Sequence, residues 1–436
     1  MKKFNLLSFI FTFIFISCGG ETSSKNKSKE NIQSLKPTIQ NSSKKDIVSQ
    51  LNEIRKNISL NSLSINRNLN NSSLNHSNYL HENNATGHYE RRNNLSFTGK
   101  YASQRANNAF YNSKFVLENV STGQKNKYVS FEALMSAIYH RFAFLNFKID
   151  EIGFGYTGKA YVYNMGNSNL NSICKSKDLN VTEKYYFNIC KNSNFKIKIN
   201  NYKEAFNKVI NNNPPYIIYP YNNQESVQPV FFEESPDPLP QHSVSGYPIS
   251  IEFNSNNFIM SKLTINSFIL KNDNDNEVEL IKHEDSSEIL NKQNDLNNKF
   301  SRFQFAIFPK YRLDFNKTYN IEFDYTYENE NKTIISSFKT KKLDNLIKYE
   351  KLQVANINMN LNKQYYIYIE PDSITSTIQN YYISCIHSKS KGYVDISDSS
   401  LYDSNTIYLN IKGEYVSSCT INLNNNTREV GINIIN

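Results

Sequence analysis

The sequence predicts a multidomain protein, with a mixed α/β unit near the N-terminus and all-β modules after it. At 436 residues the chain is too long for one hydrophobic core. Proline is absent from residues 38–213, whereas eight of the eleven prolines fall between 214 and 248. Before that change apolar residues recur at helical spacing, and after it they alternate as in strands. A helix-rich layered unit followed by strand-rich modules is the fold class that these observations favour.

Charge and composition limit the classes of partner. Charged residues make up 20% of the chain and the net charge is +9. The lysines are scattered, and no basic face interleaved with aromatic residues can be read along the sequence. This argues against nucleic-acid binding and predicts solubility with a loose attraction to an anionic envelope.

The first 17 residues are typical of a targeting segment. Two lysines follow the initial Met, and residues 4–16 form an apolar run too short to span a bilayer comfortably. The run ends in FISCGG, which resembles the cleavage box of bacterial lipoproteins, where the cysteine becomes the acylated first residue. We therefore expect a signal peptide at residues 1–17, lipid on Cys18 and a membrane-anchored location in the cell envelope; ordinary secretion and a retained anchor are the alternatives. Residues 18–45 are rich in Ser, Lys and Asn and are predicted to be a flexible tether.

The five cysteines agree with export. If Cys18 takes lipid, the other four form two local pairs. An oxidising compartment suits disulfides between Cys174 and Cys190 and between Cys385 and Cys419. No C-x-x-C spacing occurs, so neither a zinc knuckle nor a thioredoxin motif is indicated.

Two helices are predicted at the start of the first folded unit, residues 46–166. One is marked by apolar residues at i, i+4 and i+7, namely Ile47, Leu51 and Ile54. Asn66 is a candidate N-cap for the second, whose buried face would carry Leu69, Ser73, His76 and Leu80. We interpret His76 as a packed core histidine, with a functional histidine as the alternative.

A further helix is predicted over residues 130–145. Its apolar stripe is formed by Phe131, Leu134, Met135, Ile138, Phe142 and Leu145. His140 lies on a second face with Phe144 and two alanines, whose small side chains leave room for an approaching group. The run from Glu151 to Gly166 follows and is predicted to be extended.

Several short spellings in this stretch stand in a recognisable order. They are LNEIRKNISLNSLSINRNLNNSSLNHSNYL at 51–80, then NNATGHYE, FTG, Arg105, LENVS, AIYHR and EIGFGY. Together, over residues 46–166, they resemble the bacterial branch of the CAP superfamily (cysteine-rich secretory proteins, antigen 5 and pathogenesis-related proteins; also called SCP domains). The resemblance implies an α-β-α sandwich with a central groove lined by two histidines and one or two acidic residues.

Carried over by position, His88 matches the first histidine of the family groove, Glu118 the glutamate of its EN motif, and His140 the second histidine. Glu90 follows His88 by two residues, so an extended backbone would put both on one side, with Glu90 on the rim. The acidic residue that follows a Trp in many eukaryotic members has no counterpart, because this chain contains no Trp. Arg105 and Arg141 are expected to brace acidic groups or helix ends.

Two imidazoles and a carboxylate are ligands enough for a divalent metal such as zinc, and a metal there could activate water. However, the H-E-x-x-H spelling is absent, and no Ser or Cys nucleophile is marked beside a base. We prefer a non-catalytic groove that binds a lipid, a small ligand or an envelope partner and requires no cofactor. The alternatives are a weak metal site at His88, Glu118 and His140, a metal-dependent hydrolase, and a purely structural envelope protein.

The rest of the chain is predicted to be an insertion followed by β modules. Residues 167–213 carry one cysteine pair and one short helix. The proline-rich stretch 214–248 predicts a linker into a β-sandwich at 214–345, in which the run 305–340 resembles bacterial immunoglobulin-like domains. Residues 346–436 are predicted to be a small β module of no family that we identify. Three acids of the linker could hold a cation, although a solvated linker is the simpler interpretation: Glu233, Glu234 and Asp237.

Overall fold

The structure is a computed structural model. It describes residues 46–176, 184–350, 356–371, 373, 376–385, 394–414, 417–425 and 427–435. The predicted signal peptide, Cys18 and the predicted tether lie outside these residues. Among the helices in the described ranges, none combines the length and the apolar character needed to cross a membrane.

The helices are α1 Ile47–Asn57, α2 Arg67–Glu82, α3 Ala102–Asn108, α4 Lys127–Ser136, α5 Ile138–Phe144, α6 Ser168–Ile173 and α7 Ile199–Ile210, with a short 3-10 helix at Met260–Lys262. The strands up to residue 271 are β1 Ser64–Ile65, β2 Leu117–Thr122, β3 Glu151–Thr157, β4 Ala160–Gly166, β5 Tyr185–Tyr186, β6 Ile197–Lys198, β7 Tyr216–Tyr219, β8 Gln224–Val227, β9 Val230–Phe232, β10 Val244–Gly246, β11 Ile249–Phe253 and β12 Leu263–Lys271. The later strands are β13 Gln304–Ile307, β14 Thr318–Tyr327, β15 Glu330–Thr340, β16 Leu346–Tyr349, β17 Ile357–Asn360, β18 Gln364–Ile369, β19 Tyr381–Cys385, β20 Val394–Asp403, β21 Thr406–Gly413, β22 Ser417–Leu423 and β23 Arg428–Ile435.

The described chain divides into two compact units. The first is made of residues 47–123 and 139–214, so the predicted insertion at 167–213 is an integral part of it. The second contains residues 124–138 and the chain from 215 onward. The segment 124–138, which contains α4, is thus grouped with the second unit by its contacts.

A four-stranded sheet in the order β1-β3-β4-β2 forms the centre of the first unit. On the α2 face, Asn164 Nδ2 donates to Ser73 Oγ at 3.0 Å, and a Cβ at Gly153 would lie 2.1 Å from the α2 backbone. Because neighbouring residues of a strand point to opposite faces, Tyr163 faces the other way, where its ring meets Phe144 of α5 at 5.1 Å. Helices therefore cover both faces, and the predicted α-β-α sandwich is confirmed.

The start of α2 follows from its local sequence. Asn66 Oδ1 accepts hydrogen bonds from the backbone N–H groups of Asn68 and Leu69, at 2.9 and 3.3 Å. The predicted inner face is buried along its length: Leu69, Ser73, His76 and Leu80. The predicted cap and face are both confirmed.

The predicted single helix over 130–145 is wrong, because the chain breaks into α4 and α5. Ala137 between them has an extended backbone, with φ −74° and ψ 118°. The N–H of Ile138, which starts the new helix, donates to the carboxylate of Glu234 at 2.6 Å. A helix start needs acceptors for its free N–H groups, and here a distant side chain supplies one.

Residues 167–213 are fastened by covalent and backbone bonds. The predicted disulfide joins Cys174 to Cys190 across a Cα–Cα distance of 5.3 Å. Beside it, the N–H of Lys191 donates to the carbonyl of Asn112 at 2.7 Å. The short helix expected in this segment is α7.

Two sheets, β13-β11-β7 and β12-β14-β15-β8, form a β-sandwich in the second unit. The ring of Phe253 on β11 lies 5.9 Å from Phe323 and 5.2 Å from Tyr325 on β14, so aromatic side chains fill the space between the sheets. Strands β7, β11 and β13 correspond to A, B and E of an immunoglobulin fold, and β12, β14 and β15 to C, F and G. The predicted immunoglobulin-like sandwich is confirmed, but residues 214–248 are not a linker, because they supply strands β7 to β10.

The last part of the chain forms two four-stranded sheets, β16-β18-β21-β20 and β17-β23-β22-β19. Side chains from both sheets share one core, including Met359, Ile367, Leu409 and Ile432. The predicted disulfide joins Cys385 and Cys419, which are directly opposite each other on β19 and β22. The predicted β module and its staple are confirmed.

A buried ion pair connects the sandwich to this module. Arg312 Nη1 donates to Asp403 Oδ1 at 2.8 Å, and Nη2 donates to the other oxygen. The guanidinium also lies 4.6 Å from the ring of Phe315 and 5.0 Å from that of Tyr368. A bidentate pair between aromatic rings fixes the orientation of both side chains.

Candidate functional site

The site lies where the edge strand β2 meets α2, α3 and the irregular segment 83–101. These elements bring five buried side chains together: His76, His88, Glu90, Arg105 and Glu118. α2 and α3 supply His76 and Arg105, β2 supplies Glu118, and the irregular segment supplies the other two. Each imidazole contacts a carboxylate, and the arginine lies between the two carboxylates.

Arg105 is the centre of this network. Its Nη2 donates to both carboxylate oxygens of Glu118, at 2.6 and 2.8 Å. Its Nη1 donates to the backbone carbonyls of His88, Gly99 and Lys100, at 3.0, 3.2 and 3.2 Å. The guanidinium therefore holds both the acidic side chain and the backbone that carries His88, which confirms the bracing role expected for Arg105.

His88 and Glu118 form a direct pair. His88 Nδ1 lies 3.0 Å from Glu118 Oε1. A carboxylate only accepts, so Nδ1 carries the hydrogen and Nε2 presents a lone pair. Nothing in the described ranges is hydrogen bonded to that Nε2, which is the part of the pair that a ligand could engage.

Burial and charge determine which of these groups is ionised. Burial opposes ionisation of Glu118, but the charge of Arg105 and the hydrogen bond from His88 together hold the pKa of Glu118 well below its usual range. Burial lowers the pKa of His88 and Glu118 raises it, and with the further lowering by His140 and His76 the net pKa lies below the usual value. At neutral pH the site therefore holds a carboxylate, a guanidinium and a neutral imidazole.

Glu90 does not lie on a rim. It is 2% exposed, and its Oε2 accepts from the backbone N–H groups of Thr98 and Gly99, at 2.6 and 3.1 Å. Its Oε1 lies 2.9 Å from His76 Nδ1. The rim prediction fails because the segment from 83 to 101 is irregular, so residues two apart need not share a side.

His76 is a packed, hydrogen-bonded core histidine, as predicted. Its Nε2 lies 3.0 Å from the carbonyl of Gly87, which can only accept, so Nε2 must carry a hydrogen. Its Nδ1 contacts Glu90 Oε1 at 2.9 Å, so both ring nitrogens have a protein partner. The pair joins α2 to the irregular segment and leaves neither group available for a ligand.

His140 approaches from the other face of the sheet. It lies on α5, and its backbone carbonyl accepts from Asn119 Nδ2 at 2.9 Å. Asn119 follows Glu118 on β2, so the two side chains point to opposite faces. His88 and His140 thus flank the edge strand, and His140 is near enough for its charge to oppose protonation of His88. That their imidazoles lie within reach of one metal ion stays a prediction.

The family model described as "CAP: Cysteine-rich secretory protein family" matches residues 48–176. Those residues are a CAP domain. The match contains the whole network around Arg105 together with His140. A search of curated proteins finds no match.

Solved structures with similarity to the chain include two bacterial proteins. An extracellular protein containing an SCP domain from Bacillus anthracis is 21% identical with a TM-score of 0.25, and the match covers 27% of this chain but only 38% of that protein. An outer surface protein from Borrelia burgdorferi is 22% identical with a TM-score of 0.23, covering 27% of this chain and 86% of that one. Domains 4 and 5 of the S-layer protein SbsC match at 12% identity and a TM-score of 0.14, over 39% of this chain and 99% of theirs. Values this low carry no argument about activity.

Two of the three expected metal ligands, His88 and Glu118, already have protein partners. Both oxygens of Glu118 accept from Arg105, and Nδ1 of His88 is directed at Glu118. Across the described ranges, no three His, Cys, Asp or Glu side chains are arranged to hold a metal ion. A zinc centre of the usual kind needs three or four protein donors, and metal binding at His88, Glu118 and His140 stays a prediction.

The residues of this network could be picked out from the sequence, but the contacts that join them could not. His88, Glu118 and Arg105 stood out from the motifs, but their joint network did not. The sequence did contain a signal for the pairing of Arg105 with Glu118. A buried carboxylate requires a cation, and Arg105 lies between the GHYE and LENVS motifs. Arg141 is fully buried, and its bracing role stays a prediction.

The acids considered as a second cation site have other contacts. Glu234 accepts from Ile138 N, as described above, and Asp237 Oδ1 accepts from the N–H of Leu239 at 2.8 Å. Burial raises the pKa of Asp237, and the negative charges of Glu233 and Glu234 raise it further. The hydrogen bond from the Leu239 N–H acts in the opposite direction, but the net pKa is raised. These contacts give Glu234 and Asp237 a role in holding the backbone.

Proposed function

We propose that this protein is an exported envelope lipoprotein, anchored through Cys18, whose CAP domain is a non-catalytic binding module. Its ligand would be a lipid, a small molecule or an envelope partner, and no cofactor is required. Export is supported by the two disulfides, which suit an oxidising compartment. It is also supported by the apolar N-terminal run that ends at FISCGG.

The engagement of both acids of the groove carries the non-catalytic part of the proposal. A general base works best when its pKa lies near the working pH and its lone pairs can reach the substrate. Glu118 has a strongly lowered pKa, and Arg105 occupies both of its oxygens. Glu90 is enclosed by His76 and backbone N–H groups. Neither acid is therefore suited to act on a substrate.

The atom best suited to meet a ligand is Nε2 of His88, which presents a lone pair beside a fixed carboxylate. A ligand that binds there would supply an O–H or N–H donor. In hydrolases a similar His–acid pair activates a neighbouring nucleophile. In the described ranges no hydroxyl or thiol is hydrogen bonded to this nitrogen, which favours ligand binding over nucleophilic catalysis.

The test is to identify what co-purifies with the detergent-extracted full chain by lipid and protein mass spectrometry. A bound species should be present in the wild type and lost in His88→Ala. His81→Ala provides a matched control, because His81 is an exposed histidine on α2 of the same domain. The wild type should also fail to hydrolyse general ester and peptide substrates, with or without added zinc. Hydrolysis that disappears in His88→Ala would overturn the non-catalytic assignment.

The anchor has a separate test. Mass spectrometry of the N-terminal peptide should find acyl groups on Cys18, and Cys18→Ala should move the protein from the membrane fraction to the soluble fraction. A wild-type protein without acyl mass on Cys18 would refute the anchor and leave the binding assignment to its own experiment.

A further inference from the structure

An aromatic and basic surface lies on the first unit around its disulfide. Three of its aromatic side chains are open to solvent, with exposures of 71% for Phe110, 67% for Phe187 and 39% for Tyr185. Two lysines, Lys191 and Lys196, stand against these rings. We call these five residues the aromatic–basic patch. Large apolar side chains exposed together on a folded surface indicate an interaction site.

Backbone bonds and the disulfide make this patch a fixed surface. The Lys191 N–H donates to the carbonyl of Asn112 at 2.7 Å, and the Lys114 N–H donates to that of Ile189 at 2.8 Å. Lys114 Nζ also donates to Ser193 Oγ at 2.8 Å. The loop that carries Lys191 is thereby held against the segment that carries Phe110.

Two of the exposed rings lie at and directly after strand β5, Tyr185–Tyr186. Tyr185 on the strand is 39% exposed, and Phe187 directly after it is 67% exposed. Tyr186 between them points inward, where its ring lies 5.0 Å from that of Tyr202 on α7. The inward residue fixes the segment, and the outward pair remains exposed.

The patch is positive as well as aromatic. Lys191 Nζ lies 4.6 Å from the Phe110 ring centroid, and Lys196 Nζ lies 4.6 Å from that of Tyr185. In the two described segments that form the surface, residues 108–116 and 184–198, there are five lysines and neither Asp nor Glu. The lysine amines therefore stand beside exposed rings, with no carboxylate from these segments to neutralise them.

We propose that the aromatic–basic patch docks the protein onto the surface of an anionic phospholipid membrane. The exposed phenylalanines would enter the boundary between headgroups and acyl chains, while the lysine amines meet lipid phosphates. A phenylalanine ring has no polar atom to offer a soluble anion, but it gains from burial in hydrocarbon. This combination favours a lipid surface over a free phosphate or a polyanion in solution.

The experiment is co-sedimentation with vesicles, using the chain from Gly19 onward, which keeps every described element and lacks the acylated cysteine. Binding measured this way does not depend on the proposed lipid anchor or on the groove. The chain should bind vesicles of mixed phosphatidylglycerol and phosphatidylcholine, bind pure phosphatidylcholine at least about tenfold more weakly, and lose affinity as salt is raised. Phe110→Ser with Phe187→Ser should weaken binding by about tenfold or more, and so should Lys191→Glu with Lys196→Glu.

A matched control separates this patch from the net positive charge of the whole chain. Ile335→Ser with Lys339→Glu removes one exposed apolar residue (76% exposed) and one exposed lysine from β15. That variant should bind like the wild type, and far-UV circular dichroism should show all variants folded. No binding to phosphatidylglycerol vesicles, or equal losses in the β15 variant and the patch variants, would overturn the proposal.

Discussion

Replacing Arg105 with methionine tests whether one guanidinium holds the CAP site together. The variant keeps a long apolar stem but removes the charge and every donor. Glu118 loses both hydrogen bonds from Nη2, and three backbone carbonyls lose their donor at Nη1. Breaking a buried ion pair by removing one partner typically costs about 3–5 kcal/mol, because the remaining charge is left uncompensated.

That cost corresponds to a large change in melting temperature. For a unit of this size, 1 kcal/mol shifts the midpoint by about 2–4 °C, so the first unit of Arg105→Met should melt roughly 6–20 °C lower. The chain has no Trp but 30 tyrosines, so near-UV circular dichroism of tyrosine together with the far-UV signal can follow the transition. Arg91→Met, which changes an exposed arginine in the same domain, should leave the midpoint unchanged.

The loss should also depend on pH in a defined direction. In the wild type the pKa of Glu118 is lowered, so the pair stabilises the fold above the unfolded pKa of about 4.5 and ceases to do so as the pH falls through the folded pKa. Without Arg105, burial dominates and raises the pKa of Glu118, so the carboxyl becomes protonated and the penalty relaxes on acidification. The gap between wild type and variant should therefore narrow as the pH falls from about 7.5 to about 4.5.

A double variant tests whether the unpaired charge of Glu118 causes the loss of stability. Arg105→Met with Glu118→Gln removes both charges, so it should be more stable than Arg105→Met alone at neutral pH. If the single variant loses less than about 1 kcal/mol, or if the double variant is the less stable of the two, the ion pair does not hold the site.

Three further outcomes are expected. Non-reducing peptide mapping should find Cys174 joined to Cys190, and replacing both with serine should lower the stability of the first unit by about 3 kcal/mol in a urea titration. Arg312→Met should leave Asp403 buried without its partner and destabilise the second unit by about 3–5 kcal/mol, seen as faster limited proteolysis than in the wild type. Zinc titrated by calorimetry should bind weakly, and tight binding would contradict the small number of donor atoms expected at the site. Because the pKa of His88 is lowered, zinc that binds through its neutral imidazole should stay bound at a pH somewhat below the ordinary histidine pKa of about 6.5.

The parts of the fold that could be predicted are those fixed by neighbouring residues. The start of α2 depends on Asn66 and the N–H groups two and three residues later, so its signal is local. The strands of the sandwich were predicted for a similar reason, since alternation along a strand reports its buried face directly. The motifs that place His88 and Glu118 were equally visible, because they are short and continuous.

The parts that could not be predicted depend on residues far away in the chain. Nothing near Ala137 in the sequence indicates that the helix breaks there. The Ile138 N–H donates to the carboxylate of Glu234, which lies 96 residues later in the chain. The position of Glu90 failed for a related reason. Spacing by two gives a common side only in a regular strand, and the turn that wraps Thr98 and Gly99 around this carboxylate follows no such period.

The aromatic–basic patch also could not be predicted, because its residues are far apart in the chain. Along the sequence the lysines have no pattern, and Phe110 and Lys191 are far apart. The disulfide at Cys190 and the hydrogen bond from the Lys191 N–H to the Asn112 carbonyl bring the two segments together. As a result, the Lys191 amine lies 4.6 Å from the centre of the Phe110 ring. The order of charges along the chain therefore reveals only basic surfaces that come from one continuous segment. A surface assembled from two segments must be judged in space, where exposed rings beside lysine amines are the arrangement that an anionic lipid surface would recognise.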